Sequence, residues 1–344
     1  MTKSVAGSDR SGRSRLRTPR WALAGLAALA VTNLTACSAS DSGPAAYPDH
    51  EITFVVPYSA GGPTDTVTRL IAKPMSEKLG QQIVVKNVTG AGGTVAAGQV
   101  ADAKADGYEV LIHNIAMSTA PALYPDLPYK PLVDFKTIGL ITDVPMTIVA
   151  RKDLPPTTLE ELVAYIKSNA DTLTLAHAGG GSQLCGLLIE QAVGVDLTEV
   201  PYDGTAPALT DLVGGQVDIM CDQTTNTAGQ IRSGKIKAYA VTTPERIEAL
   251  PDLPTTAEAG LPDVKVAVWH GLYVPAKTSD EVVAKLTAAL QFALVDPNVI
   301  NKMADLGTTP VAKDQVTPEA HRVKLKEQIE LWTPIIKGAG VKGG

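Results

Sequence analysis

Aromatic residues, cysteines and clusters of basic residues are scarce in this sequence of 344 residues. Phe, Trp and Tyr make up 4% of the chain, three cysteines occur, and the formal net charge is −6. A nucleic-acid binder typically carries a basic patch with interleaved aromatics, so we expect no nucleic-acid partner. The five histidines, at positions 50, 113, 177, 270 and 321, lack the spacing of metal ligands. No metal site is therefore predicted.

The motifs of nucleotide cofactors and of common hydrolases are also missing. The chain has neither a Gly-x-x-x-x-Gly-Lys-Ser/Thr phosphate loop nor a Gly-x-Ser-x-Gly elbow. The segment Gly90-Ala-Gly-Gly-Thr-Val95 approaches the dinucleotide fingerprint, but Val95 replaces its third glycine. No acid follows at a suitable strand end, so we expect no cofactor.

The first 36 residues are predicted to be a signal peptide. They hold six basic residues and one acid, followed by an apolar run, 21–34, that is too short for a good membrane span. Leu34-Thr-Ala-Cys37 resembles a bacterial lipobox, which predicts lipidation of Cys37 and a flexible tether at 37–48. A plain secretory signal is the alternative. Either way we expect export, and the lipobox predicts a cell-membrane lipoprotein facing the periplasm or the cell exterior.

Two cysteines remain in the exported part of the chain, Cys185 and Cys221. An even pair in an oxidising compartment is compatible with one disulfide. Two buried free thiols are the alternative, and the sequence leaves both open.

Alternating apolar strands and helices predict an α/β protein of about two domains. Strands are predicted at 51–56, 82–87, 108–113, 138–141, 146–150, 172–176, 198–202, 217–221, 235–242 and 264–274, and helices at 64–79, 94–103, 157–169, 183–193, 206–214, 227–233 and after 278. We expect parallel sheets with helices on both faces, arranged as two doubly wound, Rossmann-like lobes around a central cleft. Lobe 1 is predicted to span 49–150 plus 271–344, and lobe 2 to span 151–270. The proline-containing stretch 118–130 is predicted to be a loop with a short helix at most. Thr157 is predicted to cap the helix that runs to residue 169, with Glu160 as the capping-box acid.

Two glycine loops at the carboxyl ends of predicted strands are the candidate binding loops. The first, 58–65, follows a short apolar strand and precedes a helix that Thr64 or Asp65 is expected to cap, with Thr66 as its first residue. Backbone N–H groups at such a helix terminus can bind an anion without a basic residue. The second loop, 178–183, is expected to face the first across the cleft. A polar loop, Asp222-Gln-Thr-Thr-Asn226, is a third candidate, whereas ordinary tight turns and a solvated loop are the alternatives.

Several segments in order resemble the solute-binding proteins of tripartite tricarboxylate transporters, the Bug or TctC-like family. The resemblance runs from about residue 47 to the C-terminus. The segments that carry it are Val55-Val-Pro-Tyr-Ser-Ala-Gly-Gly-Pro-Thr-Asp65, Asn87-Val-Thr-Gly-Ala-Gly-Gly93, Asp106-Gly-Tyr108, Val200-Pro-Tyr-Asp-Gly204, Gly214-Gly-Gln-Val-Asp218, Ala240-Val-Thr242, Leu250-Pro-Asp-Leu-Pro-Thr255, Glu258-Ala-Gly-Leu-Pro262 and Trp269-His-Gly-Leu272. The resemblance implies a periplasmic-binding-protein fold of type II, in which two lobes close on a ligand like a Venus flytrap.

The resemblance also implies how a ligand is held. In the family, one carboxylate is bound largely by backbone amides and waters at the first glycine loop and at the facing loop. Here the facing loop is about two residues shorter than usual, with Gln183 near the position of a family histidine, and we expect this loop to select the ligand. The predicted ligand-binding residues are Tyr58, Ala60, Gly61, Gly62, Thr64, Asp65, His177, Gly181, Ser182, Gln183, Tyr202, Asp222 and Asn226.

The expected function is transport. We expect a monomer that delivers a small organic acid, either a di- or tricarboxylate or an aromatic carboxylate, to membrane permease subunits. A sensor subunit that signals to a membrane kinase is the first alternative, and the sequence does not separate the two. A secreted hydrolase using Ser182, His177 and Asp222 is a remote alternative.

Overall fold

Nine β-strands and ten α-helices make up the part of the chain that the computed structural model describes, residues 47–343. The predicted signal peptide, Cys37 and most of the predicted tether lie outside the described residues. The strands are β1 (Ile52–Val56), β2 (Ile83–Asn87), β3 (Glu109–Asn114), β4 (Phe135–Arg151), β5 (Thr174–His177), β6 (Thr198–Pro201), β7 (Ile219–Gln223), β8 (Ile236–Val241) and β9 (Ala267–Pro275). The helices are α1 (Pro63–Leu79), α2 (Thr94–Ala101), α3 (Ala116–Leu123), α4 (Leu159–Asn169), α5 (Gly180–Val193), α6 (Thr205–Val213), α7 (Thr224–Arg232), α8 (Asp280–Ala293), α9 (Pro297–Asp305) and α10 (Pro318–Ala339).

The strands form a mixed sheet in the order β2-β1-β3-β9-β4-β7-β5-β6, with β8 paired to β4. In the first half of the chain β1 runs parallel to β2 and β3, and in the second half β5 runs parallel to β6 and β7. The expectation of purely parallel sheets is wrong at the centre, where β4 and β9 pair antiparallel with their neighbours. The reason is topological, because the chain crosses to the second half along β4 and returns along β9.

Alternate residues of β1 supply two separate hydrophobic cores. Ile52, Phe54 and Val56 belong to the core that contains residues of α1 and α8, whereas Val55 belongs to the core that contains residues of α2 and α5. A strand buried on both faces has this pattern, and full burial of each such side chain contributes about 1.5–3 kcal/mol. The carboxyl end of β1, from which the first glycine loop leaves, is therefore held between two helical layers.

One long strand replaces two predicted short ones. The segments 138–141 and 146–150 both fall within β4, which continues through Pro145. Pro145 stands where pairing passes from β9 to β7 and β8, and register shifts on either side show that the ladder is irregular there. A residue without an N–H donor is tolerated at such a junction.

Two local predictions have different outcomes. The prediction for 118–130 is confirmed, since the stretch holds only the end of the short helix α3, which forms in spite of Pro121 because it packs against α10, and is loop after Leu123. The predicted cap of α4 is wrong. The cap of α4 is Thr158 rather than Thr157, and Thr158 Oγ1 accepts the Glu161 N–H at 3.1 Å. Thr157 instead bonds to the Glu161 carboxylate, so the capping pair is shifted by one residue from the predicted position.

Cys185 in α5 and Cys221 in β7 are joined by a disulfide, with 6.0 Å between their Cα atoms. Both residues are fully buried. Among residues 47–343 no single helix is long and apolar enough to cross a membrane, although α8 and α9 together, bent by 67°, satisfy the length and composition of a broken span.

Candidate ligand-binding site

Four helices that begin without a side-chain cap meet at one small cavity. They are α1, α5, α6 and α7, whose N-cap residues are Gly62, Gly179, Gly204 and Gln223. In contrast, α4, α8, α9 and α10 each begin with a Thr, Ser or Asp whose oxygen accepts a first-turn N–H. The first N–H groups of a helix have no partner within the helix. The uncapped helices therefore leave donors available at this cavity.

The cavity is bounded by both halves of the chain. Its free volume is about 20 Å³, which is room for about one water-sized molecule. The lining residues are Tyr58, Gly62, Pro63, Thr64 and Asn114 from the first half, and Ala178, Gly179, Gly181, Ser182, Thr205 and Gln223 from the second. All of them are uncharged, so an anion here is held by backbone and side-chain dipoles at the positive ends of helices.

The first wall is built by the end of β1 and the start of α1. Pro63 is the first helical residue, where its fixed φ is favourable, so the predicted start at Thr66 and the predicted cap at Thr64 or Asp65 are wrong. Thr64 Oγ1 lies 3.2 Å from His270 Nε2 and 3.4 Å from the amide nitrogen of Asn114. These contacts fix the Thr64 hydroxyl at the cavity surface.

Tyr58 remains a neutral hydrogen-bonding group in this wall. Its hydroxyl lies 3.3 Å from the Gly92 carbonyl and 3.2 Å from Asn114 Oδ1, and burial raises the pKa of Tyr58 far above its ordinary value. The two buried imidazoles nearby are neutral as well. Burial lowers the pKa of His113 to about 4 and that of His270 to about 3. The first wall therefore carries no positive charge toward the cavity.

Asp65 holds the first loop in shape from behind. Its carboxylate accepts hydrogen bonds from the Gly61 N–H at 2.9 Å, Arg69 Nε at 2.9 Å and Asn87 Nδ2 at 3.0 Å. Burial raises the pKa of Asp65, but these hydrogen bonds outweigh it and leave the pKa below the ordinary value. Ala60, Gly61 and Asp65 line an outer surface cavity with Arg69 instead of the central one.

The second wall is the first turn of α5. The helix begins at Gly180 rather than at the predicted Gln183, so Gly181 and Ser182 are helical. Ser182 Oγ accepts the Ala178 N–H at 2.8 Å and lies 3.0 Å from the Gly179 carbonyl, to which it donates. Gly179 has φ 67° and ψ −170°, a conformation that essentially only glycine adopts, and a Cβ there would stand 3.0 Å from Gly92 Cα in the opposite wall.

Five predicted ligand residues of the second half lie behind the cavity surface. Gln183 Nε2 donates to the Lys342 carbonyl at 3.4 Å, Tyr202 donates to Asp211 at 2.7 Å, and Asn226 donates to Asp222 at 2.5 Å. His177 Nδ1 accepts the Gly179 N–H at 3.3 Å, and burial lowers the pKa of His177. The cavity lining thus does not include these five predicted ligand residues, which bond to other groups.

The hydrolase arrangement does not form among these side chains. Ser182, His177 and Asp222 each bond to a different group, and no hydrogen bond among the described residues joins one of them to another. The predicted loop 222–226 is also different, since Asp222 and Gln223 end β7 and α7 begins at Thr224. Among residues 47–343, no group of three or more His, Cys, Asp or Glu is placed to hold a metal ion.

Six cavity residues were not predicted. Asn114 and Gln223 end β3 and β7, so the rule that ligands lie at the carboxyl ends of strands could have found them. Thr205 is the first residue of α6 and follows Gly204, so it lies near a helix start after a glycine, as Thr64 does in α1. Pro63, Ala178 and Gly179 belong to the two predicted loops, but their side chains have no polar group that would mark them as ligand-binding residues.

The two walls touch beside the cavity. The Ser59 N–H donates to the Asp203 carbonyl at 3.3 Å, and Thr224 Oγ1 donates to the Gly307 carbonyl at 3.1 Å. A Cβ on Gly204 would stand 2.8 Å from Ser59 Cβ. The first wall and the second wall are therefore in direct contact beside the cavity.

Comparison with known proteins assigns this arrangement to a family. Residues 67–341 match the tripartite tricarboxylate transporter family receptor. The chain belongs to this family.

Solved structures of family members are similar over nearly their whole length. The periplasmic binding protein BugD is 49% identical, with a TM-score of 0.84 over 86% of this chain and 99% of its own. MatC from Rhodopseudomonas palustris with bound malate is 42% identical, with a TM-score of 0.82 over 84% and 100% of the two chains. An R. palustris protein with adipate is 32% identical, with a TM-score of 0.81 over 86% and 99%. The predicted family and the predicted periplasmic-binding-protein fold class are confirmed.

Proposed function

We propose that this tripartite tricarboxylate transporter receptor captures a small carboxylate at the cavity between α1, α5, α6 and α7. The observation that carries the proposal is the convergence of four uncapped helix N-termini on a surface without a charged side chain. Backbone N–H groups at helix termini prefer negative charge, and together they supply several donors to one carboxylate. Bound malate in MatC and bound adipate in the R. palustris protein support a carboxylate as the ligand class.

Closure of two lobes is the proposed mode of capture. The lobes are 49–150 plus 271–344 and 151–270, linked mainly by β4 and β9, and the cavity lies between their walls. Opening separates the wall contacts at Ser59 and Thr224, and binding of the ligand favours closure because both walls donate to it only when closed. Removal of water from the closed site strengthens those hydrogen bonds.

The proposed setting is the outer face of the cytoplasmic membrane. Receptors of periplasmic transport systems act after export, and we propose a monomer tethered through lipidated Cys37 that delivers its ligand to the permease subunits. Neutral donors suit delivery, since release breaks no ion pair.

Titration calorimetry of the purified protein with L-malate, adipate, citrate and benzoate tests the ligand class. We expect at least one carboxylate to bind and a matched uncharged amide of the same acid to bind far more weakly. The proposal fails if every carboxylate is inert while a sugar or an amine binds tightly.

A further inference from the structure

A buried carboxyl group lies directly behind the cavity. Asp222, the next-to-last residue of β7, has no exposed surface, and its Oδ1 atom has no hydrogen-bond partner among the described residues. Its Oδ2 atom accepts from Asn226 Nδ2 at 2.5 Å. The same Asn226 nitrogen lies 3.3 Å from the Thr205 carbonyl and 3.4 Å from Thr205 Oγ1. Asp222 is thus connected through Asn226 to Thr205, which lines the cavity, and is followed in the chain by Gln223, which also lines it.

Within the described residues, no cation accompanies this carboxyl group. The charged and titratable side chains on the elements packed around it bond to other groups or are exposed. Around β4, Asp143 pairs with Lys324, and Arg151 pairs with Asp153 and Asp218; between β5 and β6, His177 lies near Glu199. Glu190 of α5 accepts the Leu197 N–H, Asp211 of α6 accepts from Tyr202 while nearby Asp203 is exposed, and Arg232 at the end of α7 donates to the Asp305 carbonyl.

Without a nearby cation in the described part of the chain, burial favours the protonated form of Asp222. Burial raises its pKa to about 7, while the Asn226 side chain, the Gln223 backbone and the Thr205 side chain offset part of that rise. An anion placed in the neighbouring cavity adds a negative charge close to this buried carboxyl group. Like charges at such a site favour the protonated acid.

Resting on the proposed function, we propose that Asp222 is a positioning residue that takes up a proton from solvent when the cavity binds a carboxylate. The ionised carboxylate repels the ligand. Once Oδ1 carries a proton, that repulsion is removed, while Asn226 still joins Asp222 to Thr205 at the cavity surface. The proton comes from solvent in those molecules whose Asp222 is ionised before binding, so the number taken up per ligand equals that ionised fraction, and no other bond changes.

Calorimetry with L-malate and with adipate at pH 6, 7 and 8 tests this coupling, in two buffers of different protonation enthalpy. If the ligand binds only the protonated form, the apparent Kd rises about tenfold between pH 6 and pH 8, and about half a proton is taken up at pH 7. Asp222→Asn should bind with a Kd that is flat across this range. The matched variant Asp196→Asn, which removes an exposed carboxylate, should keep the wild-type slope.

The possible results distinguish the role of Asp222 from the proposed carboxylate-binding function. Binding at pH 6 with a flat pH profile, or an undiminished slope in Asp222→Asn, overturns the role of Asp222 while the proposed function stands. The absence of binding by either acid at all three pH values overturns both. Should Asp222→Asn fail to fold, carboxyl ¹³C titration of the wild-type protein replaces it. The pKa of Asp222 must then rise on addition of ligand, and a constant pKa refutes the coupling.

Discussion

Replacing Gly204 with alanine is expected to weaken ligand binding while leaving the fold intact. A Cβ at this position would stand 2.8 Å from both the backbone nitrogen and the Cβ of Ser59 in the opposite wall. The backbone of Gly204 is extended, with φ 175° and ψ 157°, so alanine adds no strain of its own. The new methyl group therefore acts only where the two walls meet.

The size of the effect follows from that contact. Inserting one methyl group into a packed interface costs about 1–3 kcal/mol. The hydrogen bond from the Ser59 N–H to the Asp203 carbonyl, 3.3 Å long in the closed arrangement, is also lengthened when the walls stand farther apart. Because the open arrangement lacks this contact, the penalty falls on closure, and a loss of about 1–3 kcal/mol raises Kd roughly 5- to 150-fold.

Calorimetry with the carboxylate that binds best measures the change in affinity, and thermal unfolding of the free protein measures the change in stability. Gly229→Ala in α7 is the matched control, because a Cβ there has no neighbour within 4 Å. That variant should keep the wild-type Kd and gain about 0.5–1 kcal/mol of stability from the reduced freedom of the unfolded chain. A wild-type Kd in Gly204→Ala, or an equal loss of affinity in Gly229→Ala, would refute closure through the Ser59 contact.

Three further predictions concern the surroundings of the site. Asp65→Asn should lower the free energy of unfolding at pH 7 by about 1–3 kcal/mol, because three donors lose a charged acceptor. Since the pKa of Asp65 is depressed in the fold, this contribution is present above the ordinary value of 3.8 and should shrink in urea titrations as the pH falls below that value. Replacing both Cys185 and Cys221 with alanine should lower the free energy of unfolding by about 3–4 kcal/mol in the same titrations, because the disulfide closes a loop of 36 residues. An unchanged unfolding midpoint, or two free thiols after alkylation of the wild-type protein without reductant, would contradict the bridge. Cys37→Ser should release the protein from membranes in cell fractionation, whereas a soluble wild-type protein would exclude the lipid anchor.

The first glycine loop could be located from sequence because its signal is local. A run of β-branched residues, a proline that ends the strand and two glycines before a helix all fall within 52–66, and each has one physical meaning. The exact start of α1 was missed because Thr64 and Asp65 both have the chemistry of a cap. The structure uses Asp65 to bind the Gly61 N–H, Arg69 and Asn87 instead, and the partner Asn87 is 22 residues away along the chain.

The second wall was harder because its chemistry lies in the backbone. The sequence drew attention to side chains such as His177, Gln183 and Tyr202, which the fold turns toward Gly179, Lys342 and Asp211. The continuous strand β4 was difficult to predict for the same reason. Pro145 indicates a strand end unless it is known that the pairing partner of β4 changes at that residue. Both cases depend on contacts between distant segments, which a single sequence does not specify.

Four helices away from the cavity begin with a side-chain cap, whereas the four helices at the cavity do not, and neither do α2 and α3. Thr158, Ser279, Asp296 and Thr317 each satisfy first-turn N–H groups, and such caps typically contribute about 1 kcal/mol. Three of the four helices at the cavity follow a glycine N-cap, which is weaker than such a cap by only a few tenths of a kcal/mol. A side chain at Gly179 or Gly204 would meet the opposite wall at 3.0 Å or less, whereas a Cβ at Gly62 would make only ordinary contacts. A side-chain oxygen at Gly62 would occupy donors that a carboxylate needs. Serine at Gly62 should therefore stabilise the free protein and weaken carboxylate binding together. A variant that gained stability without losing affinity would show that the N-terminus of α1 does not hold the ligand.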